Sequence, residues 1–191
     1  MSAVIALLAW STTAAFAQSD GPGAWLEVSP PANWNVPGAS VPVAPPEISN
    51  TESRCRTQER PPESPEEDQL VGAGWHLFNA ARVGWGIRLV DALVDYDGMC
   101  RPNQFNGFLF ADGQFAGVIS PTPMDSRTDG VGRVIDVRGP DTLNAQFVRY
   151  TATDPLCCPS SSFAVDYRVD RNADGGPLLV PFRSTPLPRP N

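Results

Sequence analysis

Four cysteines constrain the fold of this chain more than any other feature. They are Cys55, Cys100 and the adjacent pair Cys157 and Cys158. Adjacent cysteines rarely bridge each other, because the bond closes a strained eight-membered ring. The expected disulfides therefore join each of the first two cysteines to one member of the adjacent pair, in either order. We predict structural disulfides that close long loops, because the paired short spacings of zinc ribbons are absent.

A short apolar leader at the N-terminus is typical of a signal peptide. Residues 4–10 read VIALLAW, and the following Ala15-Phe16-Ala17 fits the small-x-small rule for signal peptidase. The apolar run is too short to span a bilayer of about 30 Å. We expect a signal peptide over residues 1–17 and a periplasmic or secreted chain without a transmembrane segment. The leader does not end in a cysteine that could carry a lipid.

The composition excludes several classes of function. The net charge is −7, whereas binding to nucleic acid or to an anionic membrane requires a basic face. All 14 basic residues are arginine, so the chain has no lysine for a Schiff base or a P-loop. The single histidine, His76, lies between Trp75 and Leu77, which favours a packed or capping role over catalysis. We expect no cofactor and no nucleic-acid partner.

Proline is dense over residues 18–65, which predicts a polyproline-like linker or a lightly docked extension. Trp25 and Trp34 interrupt this segment, and we expect at least one of them to lie against the domain. A β-rich domain is predicted over residues 66–184, followed by a C-terminal tail over residues 185–191.

The predicted domain begins with a helix and continues with strands. Ser64-Pro65-Glu66-Glu67 is typical of a helix start, with Ser64 as the cap and Pro65 in the first position. A buried stripe is expected on this helix. Its predicted members are Leu70, Trp75 and Phe78.

Period-two alternation of apolar and polar residues, together with apolar runs around a turn, predicts the strands. It is clearest over residues 163–170, and the apolar runs 105–110 and 115–120 flank an Asp112-Gly113 hairpin turn. The other candidates are residues 87–89, 134–137, 143–148 and 178–182. The connections are too short for crossover helices. The predicted fold class is therefore α+β, mainly β: a single antiparallel sheet of six to seven strands with a short N-terminal helix, stabilised by disulfides.

Several segments resemble the LppP/LprE family of bacterial envelope lipoproteins. They are residues 97–102, the hairpin 108–117, the loop 120–130, and residues 149–160, whose Cys-Cys-Pro element is the most specific part. The resemblance covers roughly Leu70 to Val169. It implies an envelope location, and the family carries no activity to transfer to this chain.

The richest polar loop is the first candidate ligand site. It contains Asp125, Ser126, Arg127 and Asp129. These side chains either recognise a ligand or satisfy one another in a turn, with Arg127 paired to a carboxylate.

A weaker candidate is a calcium loop formed by Asp170, Asn172 and Asp174, which match the first half of the motif. The twelfth position, where a bidentate glutamate is required, is Pro181. A hairpin turn selects the same residue types, so no metal site is predicted.

The aromatic residues are expected in the core rather than on a carbohydrate-binding surface. They are Trp75, Trp85, Phe105, Phe108, Phe110 and Phe115.

The leading hypothesis is an exported, non-enzymatic, monomeric domain that binds an unidentified envelope or extracellular ligand or protein. Two alternatives remain open. An inhibitor of an exported basic hydrolase would use the acidic surface in salt-sensitive association. A hydrolase would use two carboxylates, and the sequence does not show how far apart they lie in the folded protein.

Overall fold

The computed structural model describes residues 21–48, 53–171 and 173–188. The predicted signal peptide therefore lies outside the described residues. Within them the chain forms one α-helix, α1 (Pro65–Gly72), two 3-10 turns and twelve strands. The strands are β1 (Glu59–Arg60), β2 (His76–Phe78), β3 (Arg82–Gly84), β4 (Ile87–Leu93), β5 (Asp95–Tyr96), β6 (Pro102–Asn103), β7 (Asn106–Ala111), β8 (Gln114–Val118), β9 (Gly132–Val137), β10 (Thr142–Arg149), β11 (Ser161–Arg171) and β12 (Pro177–Leu187).

The described strands form three antiparallel sheets, so the mainly β class is confirmed and the single sheet is wrong. The first sheet has the order β1-β2-β4-β7-β8, with β3 also paired to β4. The second has the order β12-β11-β10-β9, and β5 pairs with β6 alone. The connection between β8 and β9 carries the chain from one large sheet to the other. Alternation identifies the residues that share a face, but it does not indicate where such a change of sheet occurs.

The first sheet is a middle layer with apolar residues on both faces. On β4, Ile87 and Leu89 belong to the core shared with the second sheet. Val90 and Ala92 belong to a separate core that includes Leu70 of α1. β7 is buried along its whole length. Apart from Arg88 and Asp91 on β4 and Asn106 on β7, these two strands are apolar on both faces, as expected of strands that are covered on both sides.

The proline-rich segment is docked over the described residues 21–48, which is one of the two alternatives predicted for it. Leu26 is buried in the core between the sheets. The ring centroid of Trp25 lies 5.0 Å from that of Phe147, and Trp34 Nε1 donates a hydrogen bond to the Val118 carbonyl at 2.9 Å. The expectation that at least one of these tryptophans lies against the domain is confirmed.

The helix begins as predicted but ends before two of the three residues that were expected on its buried stripe. The Ser64 hydroxyl accepts a hydrogen bond from the Glu67 amide, and Pro65 is the first helical residue. All three residues of the stripe are buried, but Trp75 follows the helix and Phe78 lies in β2, because α1 ends at Gly72. No helix in the described part of the chain is long and apolar enough to cross a membrane.

The disulfides pair Cys55 with Cys100 and Cys157 with Cys158. The predicted pairing between the two sets is therefore wrong. Cys55 lies in a small core with Tyr96, close to the loop that carries Cys100. The adjacent pair lies in the connection between β10 and β11 of the second sheet. The fold brings together Cys55 and Cys100, which are distant in sequence, and this leaves the two adjacent cysteines to each other.

A buried carboxylate joins α1 to the first sheet. Glu67 is fully buried, and Arg60 of β1 donates to both of its carboxylate oxygens at 2.7 and 3.0 Å. Arg88 of β4 donates at 3.2 Å, and the Glu63 amide at 2.8 Å. Burial alone would raise the pKa of Glu67, but the hydrogen bonds from Arg60 and the Glu63 amide outweigh it and hold the pKa below its usual range.

We expect Glu67→Gln to lower the free energy of unfolding by about 3 kcal/mol, because two arginines lose their shared buried carboxylate. The difference from the native protein should shrink as the pH falls below the ordinary glutamate pKa of 4.5, since a lowered pKa contributes stability only while the carboxylate is ionised. Urea unfolding over this pH range measures both effects.

The matched control is Asp68→Asn, which removes an exposed carboxylate from the same helical turn and should change the stability by less than about 0.5 kcal/mol. Equal losses for the two variants would contradict the importance assigned to the Glu67 network.

Candidate functional site

A cleft of about 290 Å³ opens between the first sheet and β9 of the second sheet. We refer to it as the inter-sheet cleft. Strands β2, β3, β4 and β7 supply one side, and residues of the β8–β9 connection complete it. The lining residues are Phe78, Asn79, Arg82, Asp91, Pro102, Phe105, Gly107, Ile119, Met124, Gly132, Arg133 and Ile135.

The cleft exists because one register pair does not fill the space between the sheets. Along β4, the residues that face the second sheet are apolar up to Leu89, and the next one on that face is Asp91. Asp91 pairs in register with Gly107 of β7, whereas Leu89 pairs with Leu109 one step along. A carboxylate therefore takes the place of a core side chain on β4, and space remains beside it between the sheets.

Gly107 also allows close packing beneath this space. A Cβ atom at position 107 would lie 3.0 Å from Ile119 Cδ1 and 3.3 Å from Ile135 Cδ1. Both isoleucines line the cleft, so a larger residue at position 107 would displace its apolar wall.

A β-bulge on β9 presents an arginine to the cleft. Phe147 of β10 pairs with Gly132, and the next residue, Gln146, pairs with Val134. The residue between, Arg133, has no register partner and lines the cleft. Bulges on edge strands redirect side chains in this way and are frequent beside functional sites.

The lining charges are arranged as one ion pair and one further cation. Arg82 Nη2 lies 2.8 Å from Asp91 Oδ1, and Asn79 Nδ2 donates to Asp91 Oδ2 at 3.3 Å. Arg133 makes no salt bridge with any described residue. Two arginines against one carboxylate give the cleft a formal charge of +1 in a chain whose net charge is −7.

The predicted ligand loop forms contacts within the protein. Asp129 Oδ1 accepts hydrogen bonds from Arg149 Nε at 2.7 Å and from the Tyr150 amide at 3.0 Å. Its Oδ2 accepts from the Gly23 amide at 3.2 Å. Asp129 therefore fastens the N-terminal extension to β10. The Asp129 carboxylate is thus paired with Arg149 and not with Arg127.

Asp125 and Ser126 of the same loop are also hydrogen-bonded to the backbone. Asp125 Oδ1 accepts from the Gln104 amide at 2.8 Å, and the Ser126 hydroxyl donates to the Pro102 carbonyl at 2.8 Å. These contacts match the self-satisfied turn more closely than a ligand site, and recognition of a ligand by this loop stays a prediction.

The calcium candidate is not assembled by the described residues. Asn172 lies outside them, and both carboxylate oxygens of Asp170 accept from Arg168 Nε at 2.7 and 2.9 Å. Among the residues that the structure describes, no group of three or more histidine, cysteine or acidic side chains is arranged to hold a metal ion. His76 is paired, with its Nδ1 3.1 Å from Glu59 Oε2.

The comparisons with known proteins bear on the second half of the described structure. The family model of the LppP/LprE lipoproteins matches residues 92–172. This match confirms the resemblance found in the sequence and indicates an envelope-associated protein. It spans β5 to β11 and includes Arg133, but it begins just after Asp91. Neither a curated protein nor a solved structure matches the chain.

Sequence reasoning missed the residues that carry charge into the cleft. Asp91 had a readable signal, since it interrupts an apolar run in β4. Arg133 had none, because its orientation depends on a bulge. Most of the predicted core aromatics are buried or partly buried, but Trp85 is 65 % exposed, and its assignment to the core is wrong.

We expect Asp129→Ala to lower the free energy of unfolding by about 2 kcal/mol, because it removes a carboxylate from the buried Arg149 guanidinium and unfastens Gly23. Arg127→Gly is the control in the same loop: Arg127 has a φ of +63°, which glycine adopts without strain, so its stability should be unchanged or slightly raised. Urea unfolding followed by tryptophan fluorescence compares the two. A smaller loss for Asp129→Ala than for the control would refute the anchoring role.

Proposed function

We propose that this protein is an exported, non-enzymatic, envelope-associated domain that binds a small amphipathic organic anion in the inter-sheet cleft. The observation that carries the proposal is the Asp91–Gly107 register pair, which opens the sandwich interior beside the bulged Arg133. Two packed sheets that served only as a scaffold would carry an apolar side chain at position 91 in place of this carboxylate.

The charge of the cleft favours an anion. Arg133 lies at its mouth, exposed to solvent, while Arg82 is neutralised by Asp91. The Arg82 side chain is 35 % exposed, so part of it is open to a ligand. A carboxylate or sulfonate of a ligand would pair with the exposed Arg133 guanidinium and lie beside that of Arg82.

The remaining lining favours an apolar or aromatic body behind the anionic group. Phe78 and Phe105 meet edge to face with centroids 6.1 Å apart. With Ile119, Met124 and Ile135 they supply the apolar part of the lining. A volume of about 290 Å³ is at the lower limit of small-molecule sites. The ligand class is therefore a compact ring or short chain with one acidic group.

The cleft is better suited to binding than to the two-carboxylate hydrolysis considered from the sequence. Asp91 is the single carboxylate among its lining residues, and a glycoside hydrolase requires two facing the scissile bond. Asp91 is also occupied by hydrogen bonds from Arg82 and Asn79.

The test uses 8-anilinonaphthalene-1-sulfonate, an aromatic sulfonate whose fluorescence rises on transfer to an apolar site. We expect saturable one-to-one binding. Arg133→Gln should weaken it about fivefold, through the loss of one partly exposed charge-assisted contact. Asp91→Asn should tighten binding, because it removes the negative charge of the cleft and frees the Arg82 guanidinium.

Arg138→Gln is the matched control. Arg138 follows β9, is exposed, and pairs with Asp136 at 3.2 Å outside the cleft, so its substitution should leave the dissociation constant unchanged. Non-saturable binding, or equal effects of the two arginine substitutions, would contradict the proposal.

A further inference from the structure

A second pocket, of about 370 Å³, lies where three turns of the sandwich meet. We call it the turn pocket. The β3–β4 turn contributes Trp85, the β7–β8 turn Asp112, and the β9–β10 turn Asp141. Val169 and Arg171, at the end of β11, also line the pocket.

Trp85 is a residue that the backbone conformation of its turn disfavours. It forms a two-residue turn with Gly86, and both have positive φ values, +52° and +76°. Such turns favour asparagine, aspartate and glycine, and a bulky residue with positive φ is strained. The indole is also 65 % exposed, so burial does not compensate for this strain. A residue that folding disfavours, placed at the rim of a pocket, indicates a role in contact with a ligand.

The polar side of the pocket is fixed before any ligand arrives. The Asp112 amide donates to the Gly86 carbonyl at 2.8 Å, and a Cβ atom on Gly86 would lie 2.7 Å from Asp112 Oδ1. Asp112 is also paired with Arg171. The Asp141 carbonyl accepts from the Val169 amide at 2.7 Å. These contacts lock the turns together, which reduces the ordering cost of binding.

We propose that the turn pocket is a saccharide-binding site for a neutral pyranose chain, with Trp85 as the stacking surface. The C–H face of a pyranose ring packs on an exposed indole, and sugar hydroxyls donate to carboxylates such as Asp112 and Asp141. Two carboxylates against one arginine make this lining formally negative, which disfavours uronates, phosphates and anionic lipids. The site is separate from the inter-sheet cleft, and saccharide binding here does not depend on anion binding in the cleft.

The test is isothermal titration calorimetry of the full chain with neutral hexasaccharides of glucose, mannose and N-acetylglucosamine. At least one of them should bind, and Trp85→Asn should weaken that binding about tenfold or more, through the loss of the ring contact. Asparagine tolerates positive φ, so this variant should fold with an unchanged or higher melting temperature.

Val83→Asn is the matched control. Val83 lies on β3, is also 65 % exposed, and does not line the turn pocket, so its substitution should leave saccharide binding intact. Arg133→Gln should also leave it intact, which separates this site from the cleft. The proposal is overturned if none of the hexasaccharides binds, if Trp85→Asn binds as the native protein does, or if Trp85 is required for binding phosphatidylcholine vesicles and not saccharides.

Discussion

Burial of β4 and β7 on both faces is the constraint on which the rest of the structure depends. One face packs on the second sheet, and the other packs on α1 and the docked N-terminal segment. The extension is therefore part of the packing, since Leu26 enters one core and Val41 packs against the other. The position where this double burial is interrupted, Asp91 opposite Gly107, is where the cleft opens. The same layering that stabilises the fold thus determines the position of the proposed ligand site.

The two pockets differ in a way that assigns different chemistry to each. The inter-sheet cleft carries one arginine in excess and an apolar interior, whereas the turn pocket carries one carboxylate in excess and an exposed indole. The first is suited to an anion with an apolar body and the second to a neutral polyol. The two linings share no residue, so each pocket can be altered without the other.

Period-two alternation predicted strands such as β10 and β11, because the side chains of a strand alternate whatever its partner, and apolar runs flanking a turn predicted β7 and β8. Neither pattern predicted the division into three sheets, or short strands such as β1 and β5, which contain too few residues for a pattern. The helix cap at Ser64 and the Asp112-Gly113 turn could be predicted because both depend on local sequence. The cysteine pairing could not be predicted, since it depends on which loops meet in space. The orientation of Arg133 could not be predicted either, since it depends on a bulge.

We propose that the space beside Asp91 and Gly107 is a ligand site and not a packing defect. The most direct measurement is a ¹H–¹⁵N correlation spectrum of the protein titrated with 8-anilinonaphthalene-1-sulfonate. We expect the largest shifts at the amides of Gly107, Gly132 and Arg133, with small shifts around Trp25 and Trp85. Shifts spread evenly over the surface, or absent from the amides that line the cleft, would contradict the account.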